Sequence, residues 1–186
     1  MRPAAGSRVR RGRTVVRYVH HQLITAAEAA VALCVTVPVV FGLRDVPESD
    51  AELWRAGAAL ALVLVISGLL SCTVGWPGSE KRDFETALPL TDPESVLPTP
   101  GESLRRSFGW GFVGFLVVAG LVVALAWEPL AVFWPLLFVP VRMVTGAYAA
   151  YWERRHGLVL WRGHVADQPL GEKQALYSSV RRPAAP

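Results

Sequence analysis

Apolar residues gather along this chain into four blocks, at about residues 23–43, 54–76, 108–127 and 130–152. Each is close to the roughly 20 residues that a helix needs to cross a bilayer. The fold class expected from this pattern is all-α: a polytopic membrane protein with a four-transmembrane-helix bundle. Ser49-x-x-Glu52 and Thr99-Pro100-Gly101-Glu102 are capping boxes, the second with proline at the first helical position. The helix started at Thr99 is expected to run straight into the third block. Glu128-Pro129 leaves room only for a tight reversal, so the third and fourth blocks should pack as an antiparallel hairpin.

Between the blocks the pattern is weaker. Val15, Val16, Val19 and Leu23 fall at helical spacing among arginines, which predicts an interfacial lead-in helix. The connection at 77–107 is rich in Pro and Ser and reads as a largely irregular cytoplasmic loop. Leu158–Trp161 is an apolar run too short for periodicity to separate helix from strand. Pro38 is expected to bend the first span.

Composition agrees with a membrane reading. The 186 residues are 52% hydrophobic, with a mean hydropathy of +0.34. Outside the blocks no piece exceeds about 35 residues, below the roughly 40 at which domains fold without staples. Neither the basic segment 1–22 nor the tail 153–186 should therefore fold alone, and no soluble catalytic domain is expected. Tryptophans 54, 76, 110, 127, 134 and 152 lie near block ends, as an aromatic girdle requires.

Charge then gives the orientation. Six Lys/Arg precede the first block, four lie in the 77–107 connection and six in the tail, against Arg44 and Arg55 in the opposite loops. Sixteen against two places both termini and the long connection in the cytoplasm, N-in/C-in. Arginine dominates over lysine and asparagine is absent, a bias that fits a high-GC bacterial genome. The basic residues lack the interleaved aromatics of a nucleic-acid module, so no nucleic-acid partner is expected. Their expected partner is a bilayer with anionic headgroups at the cytoplasmic face.

Two charges sit well inside apolar blocks, Glu28 and Arg142. Counted from the block ends, they lie about 8 Å and 15 Å from the cytoplasmic side, close enough for long side chains to meet. Such a pair is either a gated, proton-coupling site or an ion pair that fixes helix register. In a further reading Arg142 reaches carbonyls freed by Pro135 and Pro140. Small residues suggest helix contacts at Ala26, Ala30 and Cys34, at Ser67, Ser71 and Gly75, and at Gly111 and Gly114. The four histidines show no HxxxH or HExxH spacing, and Cys34 and Cys72 are no CxxC pair. No metal, cofactor or catalytic site is therefore expected.

These features point to a non-enzymatic component of a bacterial cytoplasmic membrane complex, engaging a membrane-protein partner or another copy of itself. The alternative is a small transporter or transporter subunit that uses Glu28 and Arg142.

Overall fold

The structure, a computed structural model, describes residues 13–43, 54–55, 57–58, 60–62, 65–66, 76–93, 97–127 and 129–181. In chain order these form β1 (Arg13–Arg17), α1 (Tyr18–Leu43), α2 (Trp76–Glu85), β2 (Leu88–Pro89) and α3 (Pro100–Ser107). Then follow α4 (Trp110–Ala126), a 3-10 helix (Pro129–Leu137), α5 (Phe138–His156), β3 (Leu158–Val165) and β4 (Tyr177–Val180). Among the described residues three helical stretches are long and apolar enough to cross a membrane: Tyr18–Leu43, Gly101–Ala126 and Pro129–His156. Most of the second apolar block, with Ser67, Ser71, Cys72 and Gly75, lies outside the described residues; its described positions are helical.

The helices pack around α1. Ala29 and Ala32 of α1 bury against Leu116 of α4, with Trp134 and Phe138 closing the layer. Farther along, Val40, Ala124 and Val132 form a second layer. Successive contacts along α1 therefore climb α4 and descend the last helix. α1 and α4 run in the same direction, and α5 runs against both. The buried line on α1 is Ala29, Ala32, Thr36 and Val40, while Ala30 and Cys34 are exposed. At about 100° per residue Ala26 lies at the edge of this face, and Ala30 and Cys34 fall about 40° and 80° beyond it, so the expected ridge left the contact after Ala26.

The all-α expectation is corrected by a four-stranded sheet of order β1-β3-β4-β2 at one end of the helices. β1 pairs antiparallel with β3, Arg13 opposite Val165 and Arg17 opposite Trp161. β3 pairs antiparallel with β4, and β2 pairs parallel with β4. The β-branched Thr14-Val15-Val16 run prefers a pleated, half-buried surface once a partner strand is present. That partner comes from the far end of the chain, so the lead-in is a strand rather than the expected helix. The 77–107 connection is also more regular than expected, since it supplies α2, β2 and α3. Gln168 secures short β2 from the side: its Nε2 donates to the Pro89 carbonyl (2.7 Å) and its Oε1 accepts from the Thr91 N–H (3.1 Å).

Alternation along β3 divides its side chains between two cores. Leu160 faces the helix ends and joins Tyr18, Val19, Phe84, Ala149, Trp152 and Leu176. Trp161 and Val165 face the other way, with Val15, Leu90 and Tyr177. Phe84 of α2 stands among Tyr18, Tyr148 and Trp152, with ring centroids 5.6–5.8 Å away. Trp152 is thus a core residue, not part of a girdle. Trp110 and Trp127, at opposite ends of α4, are 77% and 84% exposed and do fit that role.

Glu153 joins bundle to sheet. It is 1% exposed, and its carboxylate accepts from Arg17 Nη2 of β1 (2.5 Å) and from the Leu160 N–H of β3 (3.0 Å). Arg17 also donates its backbone N–H to Ser103 Oγ of α3 (3.0 Å). Gly157, at φ +66, ends α5 in the left-handed conformation and turns the chain into β3. Glu153→Ala leaves a buried N–H and a guanidinium unpaired, and is expected to cost about 3 kcal/mol. A thermal unfolding midpoint in mild detergent should fall by several degrees, while Glu172→Ala, on an exposed turn, leaves it unchanged.

Candidate functional site

The two charges inside apolar helices are not brought together. α1 and α5 approach closely at Gly146, where an added Cβ would lie 3.4 Å from Gln22 Cβ. This register sets Arg142 opposite Gln22, whose Oε1 accepts from Arg142 Nη1 (3.2 Å). Glu28 lies six residues farther along α1, about 9 Å deeper into the bundle. Among the described residues no ion pair joins them. The order of depth is the reverse of the expected one. α5 continues to His156 and its last turns stand beside the sheet, so counting depth from Trp152 placed Arg142 too far in.

Glu28 caps a neighbouring helix instead. α3 does not continue directly into α4, because Phe108 and Gly109 are extended and break it. The break is consistent with two glycines, Gly109 and Gly111, at the start of the third apolar block. It frees the Gly109 N–H, which donates to Glu28 Oε1 (2.5 Å). A carboxylate at a helix N-terminus also meets the positive end of the helix dipole. Glu28 is 2% exposed, so this contact is its means of being buried. The Thr99 N-cap forms as the pattern predicts, with the Glu102 N–H donating to Thr99 Oγ1 (3.4 Å), while the Glu102 carboxylate accepts from Arg106 (2.5 Å).

The other named positions divide clearly. Ala26 is buried and Ala30 exposed. Gly111 and Gly114 are exposed, and a Cβ at either would meet nothing within 4 Å among the described residues. Ser67, Ser71 and Gly75 lie outside the described residues. Within α4 and α5, Gly146 and Gly120 do meet neighbouring elements, the latter facing Thr36 and Trp134. Composition alone could not separate them from Gly111 and Gly114, since glycine is common throughout membrane helices.

Polar side chains concentrate where bundle meets sheet. Around Arg142 and Gln22 stand Tyr18 and His21 of α1 and Glu80 of α2. Tyr18 is in hydrogen-bonding reach of Gln22 and Glu80. Burial pushes the Glu80 carboxyl above the ordinary range; the Tyr18 hydrogen bond and the Arg142 charge oppose the rise, and Asp83 adds to it. A second group holds Arg17, Glu153 and Ser103, with His20 Nδ1 3.3 Å from Ser103 Oγ. Among the described residues no three His, Cys, Asp or Glu side chains converge as metal ligands would. Gln22, Glu153 and, on α2, Glu80 are residues that sequence reasoning missed; the last is the acid of the α2 contact. Its one signal was an acid in a segment of i, i+4 polar spacing, which any solvated helix shares.

A groove of about 680 Å³ runs along the β2 side of the sheet, lined by Pro89, Leu90, Pro93, Leu97, Trp161 and Val180 among others. Among the described residues no charged side chain lines it. Comparison with known proteins finds no matching family model, curated relative or solved structure.

Because Glu28 and Arg142 have separate partners, their substitutions should act independently. Glu28→Ala is expected to cost about 1–3 kcal/mol, from the orphaned Gly109 N–H. Glu28→Gln, which keeps an acceptor, should cost well under that. In a double-mutant cycle with Arg142→Met, denaturation in mixed micelles should give a coupling energy within about 0.5 kcal/mol of zero.

Proposed function

We propose that this protein is a non-enzymatic interaction or assembly component of a bacterial cytoplasmic membrane complex, crossing the bilayer four times with both ends in the cytoplasm. The observation that carries this reading is the sheet. Its strands come from the N-terminal segment, the long connection and the C-terminal tail, the three segments that hold sixteen of the nineteen Lys and Arg. Segments that share a sheet share a side of the membrane, and the positive-inside bias makes that side the cytoplasm.

The direction of the helices supports the fourth crossing. α1 and α4 both lead away from the sheet, so the chain has to return between Leu43 and α2, which packs beside Tyr18. The apolar block at 54–76 has the length for that return. On the sheet side, Arg105 and Arg106 precede α4, and Arg154 and Arg155 end α5, all exposed. They suit anionic headgroups at the cytoplasmic face, beside exposed Trp110 and Tyr151.

The partner reading rests on the edge of the sheet. Among the described residues β2 covers β4 only at Tyr177 and Ser178, which leaves Ser179 and Val180 beside a groove whose described lining is uncharged and mostly apolar. An extended apolar segment of a membrane-protein partner fits there by adding to the strand edge and filling the groove. The transporter reading loses its main support, because Glu28 and Arg142 are each tied to a neighbour by a structural hydrogen bond.

Two measurements test these points. A C-terminal green fluorescent protein fusion should fluoresce, while an alkaline phosphatase fusion at the same place stays inactive; the reverse would overturn the orientation. Native purification in mild detergent should recover a stoichiometric companion. Val180→Asp, at a position 77% exposed, should lower that recovery at least about tenfold without changing the unfolding midpoint. A homo-oligomer that survives Val180→Asp, with no companion, would count against this reading.

A further inference from the structure

α2 is held to the bundle at two points of unlike chemistry. Phe84, 2% exposed, lies among Tyr18, Tyr148 and Trp152. One turn earlier Glu80 enters the polar cluster and meets Tyr18. Its Oε2 is buried without a hydrogen-bond partner, and so is Arg142 Nε. An acid on α2 and a guanidinium on α5, each with an idle buried atom, thus share one polar cluster, close enough for the Arg142 charge to act on Glu80, while Arg142 is engaged by Gln22 instead. No direct ion pair is made between them. Burial of a carboxylate without an ion-pair partner is costly, whereas a neutral carboxyl is tolerated in the same place.

We propose that Glu80 and Arg142 form a proton-operated latch: α2 docks on the bundle with Glu80 as a neutral acid, and loosens when Glu80 ionises. The charged and titratable groups around it are Tyr18 and His21 of α1, Arg142 of α5, Arg162 of β3 and Asp83 of α2 itself. Of these, Arg142 favours the ionised form and Asp83 opposes it. Arg142 limits the loosening without abolishing it, because its nearest partner remains Gln22. The latch stands apart from the assembly reading, since α2 lies in the long connection and not in the groove.

The sign follows from linkage. Released into water, Glu80 titrates at the ordinary value of about 4.5, whereas docking raises it. Docking is therefore fully favourable below the free value. It weakens tenfold for each pH unit between the free and docked values, and is constant again above the docked one.

Hydrogen–deuterium exchange on the full chain in lipid nanodiscs reads this directly, from peptides covering residues 76–88 at several values between about pH 4 and pH 8, corrected for intrinsic exchange. Protection of α2 should fall as pH rises, while peptides from α3 do not change. Glu80→Gln should keep α2 protected and remove the pH dependence, and Arg142→Met should make the fall larger. A flat wild-type profile, or a Glu80→Gln profile that follows the wild type, would overturn the latch. Infrared difference spectra of the wild type give a second check that needs no variant folding. A protonated carboxyl band should persist above the pH at which exposed carboxyls have ionised, and its absence would equally overturn the idea.

Discussion

The structure depends on one buried carboxylate. Glu153 ends α5 with almost no contact with water, and it holds a guanidinium from the start of the chain and a backbone N–H from the strand that follows it. An ion of this kind is tolerated in a low-dielectric site only when its lone pairs are taken up by donors in good geometry. Those donors lie on β1 and β3, so the carboxylate can be buried only if the two strands are in place. The helix end, the first strand and the third strand are consequently one unit, though Arg17 and Glu153 are 136 residues apart in sequence.

The same tie sets the register of α5 on α1. With Arg17 fixed at Glu153, the antiparallel helices bring Gly146 to Gln22 and Arg142 to the same turn. Arg142 is thereby placed near the sheet, among groups that can hydrogen-bond. Glu28 is placed beyond reach of it, beside the break that separates α3 from α4. Each charge has a local reason to exist. The register, not mutual attraction, decided which partner each would meet.

How much of this was legible depends on the range of the forces involved. The apolar blocks, the Thr99 cap and the tight reversal before Pro129 are local patterns, and the chain carries them plainly. The sheet was not legible, because Thr14-Val15-Val16 and Leu158–Trp161 acquire strand character only from each other. Val15 and Val19 lie at helical spacing as well as in a β-branched run, and nothing local chooses between the two. The Glu28–Arg142 contact failed for a related reason. Depth was counted from Trp152, an aromatic that suits a membrane interface but in fact packs on Phe84. The line Ala26, Ala30, Cys34 failed by angle alone: Ala26 sits at the edge of the face that holds Ala29, Ala32 and Thr36, and Ala30 and Cys34 lie beyond it.

This reassignment changes what an intramembrane charge implies. An ionisable residue in an apolar helix is a functional candidate by default because its burial is costly. The cost disappears as an argument once a structural partner accounts for it, as the Gly109 N–H does for Glu28. It persists where the partners are incomplete. Arg142 Nε and Glu80 Oε2 are buried polar atoms near the α2 contact that no hydrogen bond explains, as is Arg17 Nε beside Glu153, and a carboxyl left in that condition is favoured in its neutral form or with a neighbour that can move toward it. Glu28 satisfies the rule that buried polar groups are bonded. The α2 contact departs from it at Glu80, the acid on which the proposed pH response of α2 rests.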